Sequence, residues 1–186
     1  MDLRALPEPS PTAGSPRDRV AELEHHLGEP AAAELCGELL AGAAPEPLDP
    51  AIRYLAGAPV ARLRLGGYHE YWFRVWGARG LLYVWSEGCA DAVLGGLTDE
   101  HWRVAEMCLK VAAKRDLPAA APAATRLTAH ELSRVRANAV RTLGLVGDTE
   151  HWETVRSALA DPEGDVRRAA ETARRRMADR LDLEQS

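Results

Sequence analysis

Apolar residues along this chain recur at helical spacing in short runs, and the runs are separated by glycine and proline. Val20, Leu23 and Leu27 make one stripe, closed by Gly28 and Pro30; Ala32, Leu35, Leu39 and Leu40 make a second before Gly42 and Pro45. Spacings of three and four put such residues on one face of an α-helix, so the two runs predict a helical hairpin. Asp49-Pro50 predicts a third short helix, with Asp as N-cap and Pro in the first turn, running through Ile52 and Leu55 to Gly57. Gly66-Gly67 then breaks the pattern.

Beyond that break a longer period takes over. Glu70, Glu100 and Glu131 each stand eight residues before a small residue, Ala78, Cys108 and Ala139, and Ala170 continues the series. A unit returning every thirty-odd residues with helical apolar spacing inside it marks an α-helical repeat, whose members bury their apolar faces only by stacking. The first unit predicts a long helix over residues 70–85 and a return helix over 89–97. The second opens at Asp99 as N-cap and carries Val104, Met107, Cys108 and Val111 on one face, with an Ala-rich return segment over 119–127 interrupted by Pro122. In the third, Val135, Ala139, Thr142, Leu143 and Val146 form the buried stripe; Gly147 ends it, and Asp148-Thr149 starts a return helix through Trp152, Val155 and Leu159. Asp161-Pro162 opens a last helix with Val166, Ala170, Ala173, Met177 and Leu181 on one side, which reads as the C-terminal cap. The expected organisation is a disordered tail over residues 1–16, irregular N-terminal helices over 17–67 that cap or diverge from the repeats, repeats over 68–181, and a tail over 182–186.

The run Arg134-Val135-Arg136 to Leu143-Gly144, then Leu145-Val146-Gly147-Asp148, Leu159-Ala160-Asp161 and Asp165-Val166-Arg167-Arg168-Ala169-Ala170 resembles the HEAT-like repeat, in the version shared with phycobilin lyase subunits. The likeness is strongest over residues 129–177, looser over 98–128 and loosest over 68–97. It implies an all-α fold, a right-handed α-solenoid of stacked antiparallel helix pairs. It also implies that an Asp before a helix and an Arg after its first Val tie neighbouring units, roles that fall on Asp161, Arg167 and Arg136. The earlier units depart from that motif, with Arg103-Val104-Ala105 and Arg74-Val75-Trp76.

Composition narrows the function classes. The chain has 186 residues, 46% of them apolar, and a net charge of −5; mean hydropathy is −0.27. The acidity sits in front, where residues 1–66 carry six arginines against ten acids. Such a balance disfavours a nucleic-acid partner, which calls for a basic stripe. The most apolar segment, 76–85, contains Arg79 and is too short to span a bilayer, and no N-terminal stretch joins basic residues to an apolar core. Cys36, Cys89 and Cys108 are odd in number without a C-x-x-C pair, which predicts free thiols in a reducing, cytoplasmic compartment. Arginine supplies all basic residues but Lys110 and Lys114, the usage of a high-GC bacterial genome.

Three places draw attention as candidate chemistry. Seven of the ten aromatic residues lie within 68–85: Tyr68, Tyr71, Trp72, Phe73, Trp76, Tyr83 and Trp85. They either fill the junction between the irregular helices and the first repeat or anchor a partner, since Trp, Tyr and Arg dominate binding hot spots. His69, His101 and His130 lie beside the recurring glutamates. Helices pack about 8–10 Å apart while zinc needs ligand atoms within about 2.0–2.3 Å, so this row predicts helix caps and no metal site. The last helix carries six arginines against Asp165, Glu171 and Asp179, a solvated face or a surface for an acidic partner. No H-E-x-x-H, P-loop, dinucleotide fingerprint or G-x-S-x-G is present, so no cofactor is expected. The expected function is a non-enzymatic adaptor that binds a protein or peptide on a concave surface through Tyr68, Tyr71, Trp72, Arg74, Trp76, Arg79 and Trp102. The alternative is a solenoid-hosted enzyme or accessory subunit, lyase-like or DNA-glycosylase-like.

Overall fold

In the computed structural model, residues 3–12 and 14–183 are described, and those residues form helices and turns without a strand. The chain divides into two compact units, Met1–Gly96 and Leu97–Ser186.

The first unit holds α1 (Pro16–Leu27), α2 (Glu29–Leu40), α3 (Asp49–Ala56), α4 (Val60–Leu65), α5 (Tyr71–Gly80) and α6 (Ala90–Gly96). Its starts follow local chemistry. Ser15 and Asp18 form a capping box at α1, and Gly28 supplies the φ of 79° that turns the chain into α2. Helix α2 is the central element, packed on α1, α5 and α6. Its approach to α5 is close enough that a Cβ on Gly77 would lie 2.6 Å from the Cys36 carbonyl oxygen and 2.7 Å from the Leu40 nitrogen. Only glycine fits there.

Three expectations change in this unit. Asp49 is the first helical residue of α3 and Leu48 the N-cap. The Asp49 carboxylate accepts instead from Val60 N–H at 2.6 Å and from Arg53 at 2.8 Å, and so ties α3 to α4. Helix α4 itself escapes the sequence pattern, because six residues are too few to show a period. The long helix expected over 70–85 stops at Gly80: the glycines that allow contact with α2 are poor helix formers, and the chain turns with Leu81 and Val84 fully buried from irregular backbone. Residues 7–10, within the expected tail, lie against α1 and α3. Tyr54 donates its hydroxyl to the Pro7 carbonyl at 2.7 Å, and Ser10 N–H donates to the Glu22 carboxylate at 2.9 and 3.1 Å.

The second unit holds α7 (Trp102–Arg115), α8 (Ala121–Leu127), α9 (Ser133–Val146), α10 (Trp152–Ser157) and α11 (Gly164–Leu181). Helix α9 packs against α7, α8 and α11, and α10 packs against α11. The sequence period survives as a period of environment. Val104, Val135 and Val166 are at most 1% exposed, and Cys108, Ala139 and Ala170 are fully buried. The turn before each long helix repeats too. Asp99, His130 and Asp161, 31 residues apart, each accept from the backbone N–H two positions on: His101 at 2.8 Å, Leu132 at 3.0 Å and Glu163 at 2.9 Å. These side chains therefore nucleate the turn ahead of the helix, while the N-caps are His101, Leu132 and Glu163. That corrects Asp99 as N-cap by two residues. It also places His130, and not the neighbouring Glu131 expected to cap, among the turn-forming acceptors.

Candidate functional site

Five of the seven aromatic residues of segment 68–85, Tyr68, Tyr71, Trp72, Phe73 and Trp76, gather at the corner where α4 passes into α5. Trp72 lies at ring-centroid distances of 5.9 Å from Tyr68, 5.3 Å from Tyr71 and 6.0 Å from Trp76, and His69 stacks on Tyr71 at 5.9 Å. Offset and edge contacts of this kind hold aromatic rings in fixed orientations. The cluster is graded by depth. Phe73 and Trp76 are buried, Tyr71 and Trp72 half-buried, Tyr68 is 43% exposed, and Leu65 at the end of α4 is 90% exposed. The result is a rigid apolar corner whose base belongs to the core and whose rim faces solvent.

Depth sorts the residues expected to bind a partner. Tyr68, Tyr71 and Trp72 form the rim. Trp76 is a support beneath them, because at 5% exposure it offers a partner almost no area. Arg79 turns inward: its guanidinium donates to the Leu55 carbonyl at 2.6 Å, and burial pushes its proton affinity down. Arg74 is half-buried on α5. Leu65 went unnoticed in the sequence, since an isolated leucine beside arginines shows no signal until the backbone leaves it uncovered.

In the second unit Trp102, at the start of α7, sits between two guanidinium groups, Arg103 at 4.2 Å and Arg134 at 4.9 Å from the ring centroid. Cation–π contact of this geometry stabilises by about 0.5–1 kcal/mol at an exposed site. Below it Glu106 is 5% exposed and accepts from Lys110 at 2.9 Å, Arg134 at 3.0 Å and Asn138 at 3.0 Å. A buried carboxylate is tolerated because three donors compensate its desolvation. Lys110 lies four residues along the same helix, whereas Arg134 and Asn138 reach Glu106 from α9.

The inter-repeat tie implied by the sequence resemblance is formed. Arg136 makes a bidentate pair with Asp161, 2.8 Å from Nε and 2.9 Å from an Nη, and also donates to the carbonyls of His130 and Glu131, both at 2.9 Å. Arg167 repeats the backbone half of this arrangement one period later, donating to the carbonyls of Asp161 and Pro162 at 2.7 Å. Ala105 stands at the same period position in the preceding unit, so no such clamp arises there. The Arg136 guanidinium, helped by Glu163 N–H, holds the Asp161 carboxyl below the usual carboxylate range. A lowered folded-state value contributes stability that is present above the unfolded value of about 3.9 and is lost as pH falls through the folded one. Urea unfolding between about pH 5 and pH 2 is therefore expected to show a steeper stability loss in the parent chain than in Asp161→Asn, and equal slopes would refute the pair's contribution.

Cys36, Cys89 and Cys108 are free and buried, and burial raises all three thiols, Cys36 to about 12. They behave as small apolar side chains. Among the described residues no group of three or more His, Cys, Asp or Glu is placed to hold a metal ion, and no helix is long and apolar enough to cross a membrane. Against known families, residues 90–175 match HEAT repeats. Comparison with curated proteins finds no match.

Proposed function

We propose that this HEAT-like repeat protein is a non-enzymatic adaptor whose contact surface for a protein or peptide partner is the aromatic corner of the first unit. HEAT-like repeats present extended surfaces and are built for recognition. The observation that carries the reading is the rim of Tyr68, Tyr71 and Trp72 on a buried base of Phe73 and Trp76, with Leu65 exposed at the end of the preceding helix. Rigid aromatic side chains lose little conformational entropy on binding, and a hot spot needs that kind of support. Arg74 lies on the same helix to meet a carboxylate at the edge of the contact, and Trp102 with its two arginines offers a smaller anchor of the same chemistry on the second unit.

The finer architecture that accompanies this proposal is a right-handed solenoid of antiparallel helix pairs, with the partner on its concave side, in the cytoplasm. Nucleic acid is disfavoured by the net charge of −5. The test is affinity capture from native lysate by the tagged chain, followed by the same capture with Tyr68→Ala/Trp72→Ala. A stoichiometric partner that is lost from the folded double variant supports the assignment. Retention of that partner, or recovery of none, overturns it.

A further inference from the structure

Residues 7–11, Pro-Glu-Pro-Ser-Pro, are held in a groove of the first unit by side chains that bond to the backbone of Pro7 and Ser10 and to the carboxylate of Glu8. Tyr54 has its ring fully buried and aims its hydroxyl at the Pro7 carbonyl, 2.7 Å away. Glu22 on α1 takes the Ser10 N–H with both carboxylate oxygens, and Arg53 on α3 pairs with Glu8. Arg19, fixed by a 3.1 Å bond from its Nε to the Tyr54 carbonyl, lines the same groove with Arg62.

A polyproline-type segment has no internal hydrogen bonds, so its carbonyls and remaining N–H groups are available to an outside reader. The occupant is seated shallowly. Pro7, Glu8 and Pro11 are exposed, Pro9 and Ser10 only half-buried, and a cavity of about 360 Å³ remains beside residues 8–11, bounded by Arg19, Arg53, Gly57, Pro59 and Arg62. A segment that buries so little apolar surface opens at low cost, while the groove under it is built from helix-borne side chains. Arg19 and Arg62, with Arg53 shared between Asp49 and Glu8, give that groove a preference for an acidic occupant.

We propose that this groove is a binding site for a proline-rich segment of a partner protein that carries a carboxylate between its prolines, and that residues 7–11 occupy it in cis as an internal competitor. The proposal is independent of the aromatic corner. A tethered occupant presents itself at millimolar effective concentration, so a partner segment gains access only by outcompeting it or when the tail is drawn away.

The probe is a fluorescein-labelled peptide with the sequence of residues 3–12, added to two full-length proteins: the parent chain, and a chain bearing Pro7→Gly, Glu8→Ser, Pro9→Gly, Ser10→Gly and Pro11→Gly. Anisotropy is expected to show binding to the substituted chain at least about tenfold tighter than to the parent. Adding Tyr54→Phe, which keeps the ring and removes the hydroxyl, is expected to weaken that binding about fivefold, and a peptide with lysine in place of its glutamate should not bind. Should the five-position variant lose its helical circular dichroism, Glu8→Lys alone serves the same purpose, since it abolishes the Arg53 pair and touches no core residue. No rise in anisotropy up to ~1 mM peptide with a folded substituted chain overturns the proposal. So does a parent chain that is a dimer and becomes monomeric when the tail is substituted, because the occupant would then be the second copy's own residues 7–11.

Discussion

Trp76→Ala is expected to destabilise the first unit by about 3–5 kcal/mol, the range for removing a buried large aromatic side chain. The indole is 5% exposed and stands against Phe73 at 5.4 Å, Tyr68 at 5.5 Å and Trp72 at 6.0 Å, so its loss opens a cavity under three rings that have no alternative floor. Half-buried Trp72 leaves no such void, and Trp72→Ala is expected to cost under about 2 kcal/mol. Denaturant unfolding followed by circular dichroism, with tryptophan fluorescence as a second probe, separates the two. A loss below about 1 kcal/mol for Trp76→Ala would mean that the cluster is not the packed base described above. For the proposed adaptor role the consequence is practical. Lost partner capture in Trp76→Ala would report unfolding, whereas Tyr68→Ala and Trp72→Ala probe the contact itself.

Gly144→Val is expected to cost at least about 3 kcal/mol, at the upper end for overpacking, because the obstruction is backbone. A Cβ on Gly144 would lie 2.6 Å from both Cα and Cβ of Ala173, so even alanine forces α9 and α11 apart, and valine adds two methyl groups to the same gap. The separation would also strain the neighbouring Arg136–Asp161 pair, which spans from α9 to the turn leading into α11. Gly95→Ala serves as the contrasting control: no atom lies within 4 Å of its added Cβ, and replacing a helical glycine should stabilise by about 0.5–1 kcal/mol. The pair Gly144→Ala with Ala173→Gly tests the mechanism through partial relief, since the second change removes the obstructing methyl and leaves the Ala173 Cα in place. Thermal melts of the two single variants and the double give the coupling, and strict additivity would show that the contact is not what limits the site.

Several elements were legible in the sequence because their causes are local. The stops at Gly28 and Gly57 and the buried positions Val104, Val135 and Val166 follow from spacing and capping rules that hold along one helix, whereas the Ser15–Asp18 capping box falls where a disordered tail was expected. The Arg136–Asp161 tie was anticipated through resemblance to the HEAT-like repeat, whose motif supplies both residues. Other features needed coordinates. The apolar pattern over 70–85 could not reveal that α5 ends at Gly80, because Leu81 and Val84 are as buried in a turn as they would be in a helix. The seven clustered aromatic residues marked the region of the candidate site, but not which rings form its rim. Exposure depends on what α4 and the other helices of the unit cover.

What the sequence determined alone is the helical class, the thirty-one-residue period and the identity of the buried positions that mark each stripe, since apolar periodicity and the entropy of glycine and proline act over a few neighbouring residues. What only the tertiary structure decided is where helices come within touching distance: glycine at 77 and 144, the two donors on Glu106 from α9, and the docking of Pro7–Ser10 on Tyr54 and Glu22. Those contacts join residues far apart in the chain, with 47 positions separating Pro7 from Tyr54. Their energies come from interhelical geometry, which no local spacing rule encodes.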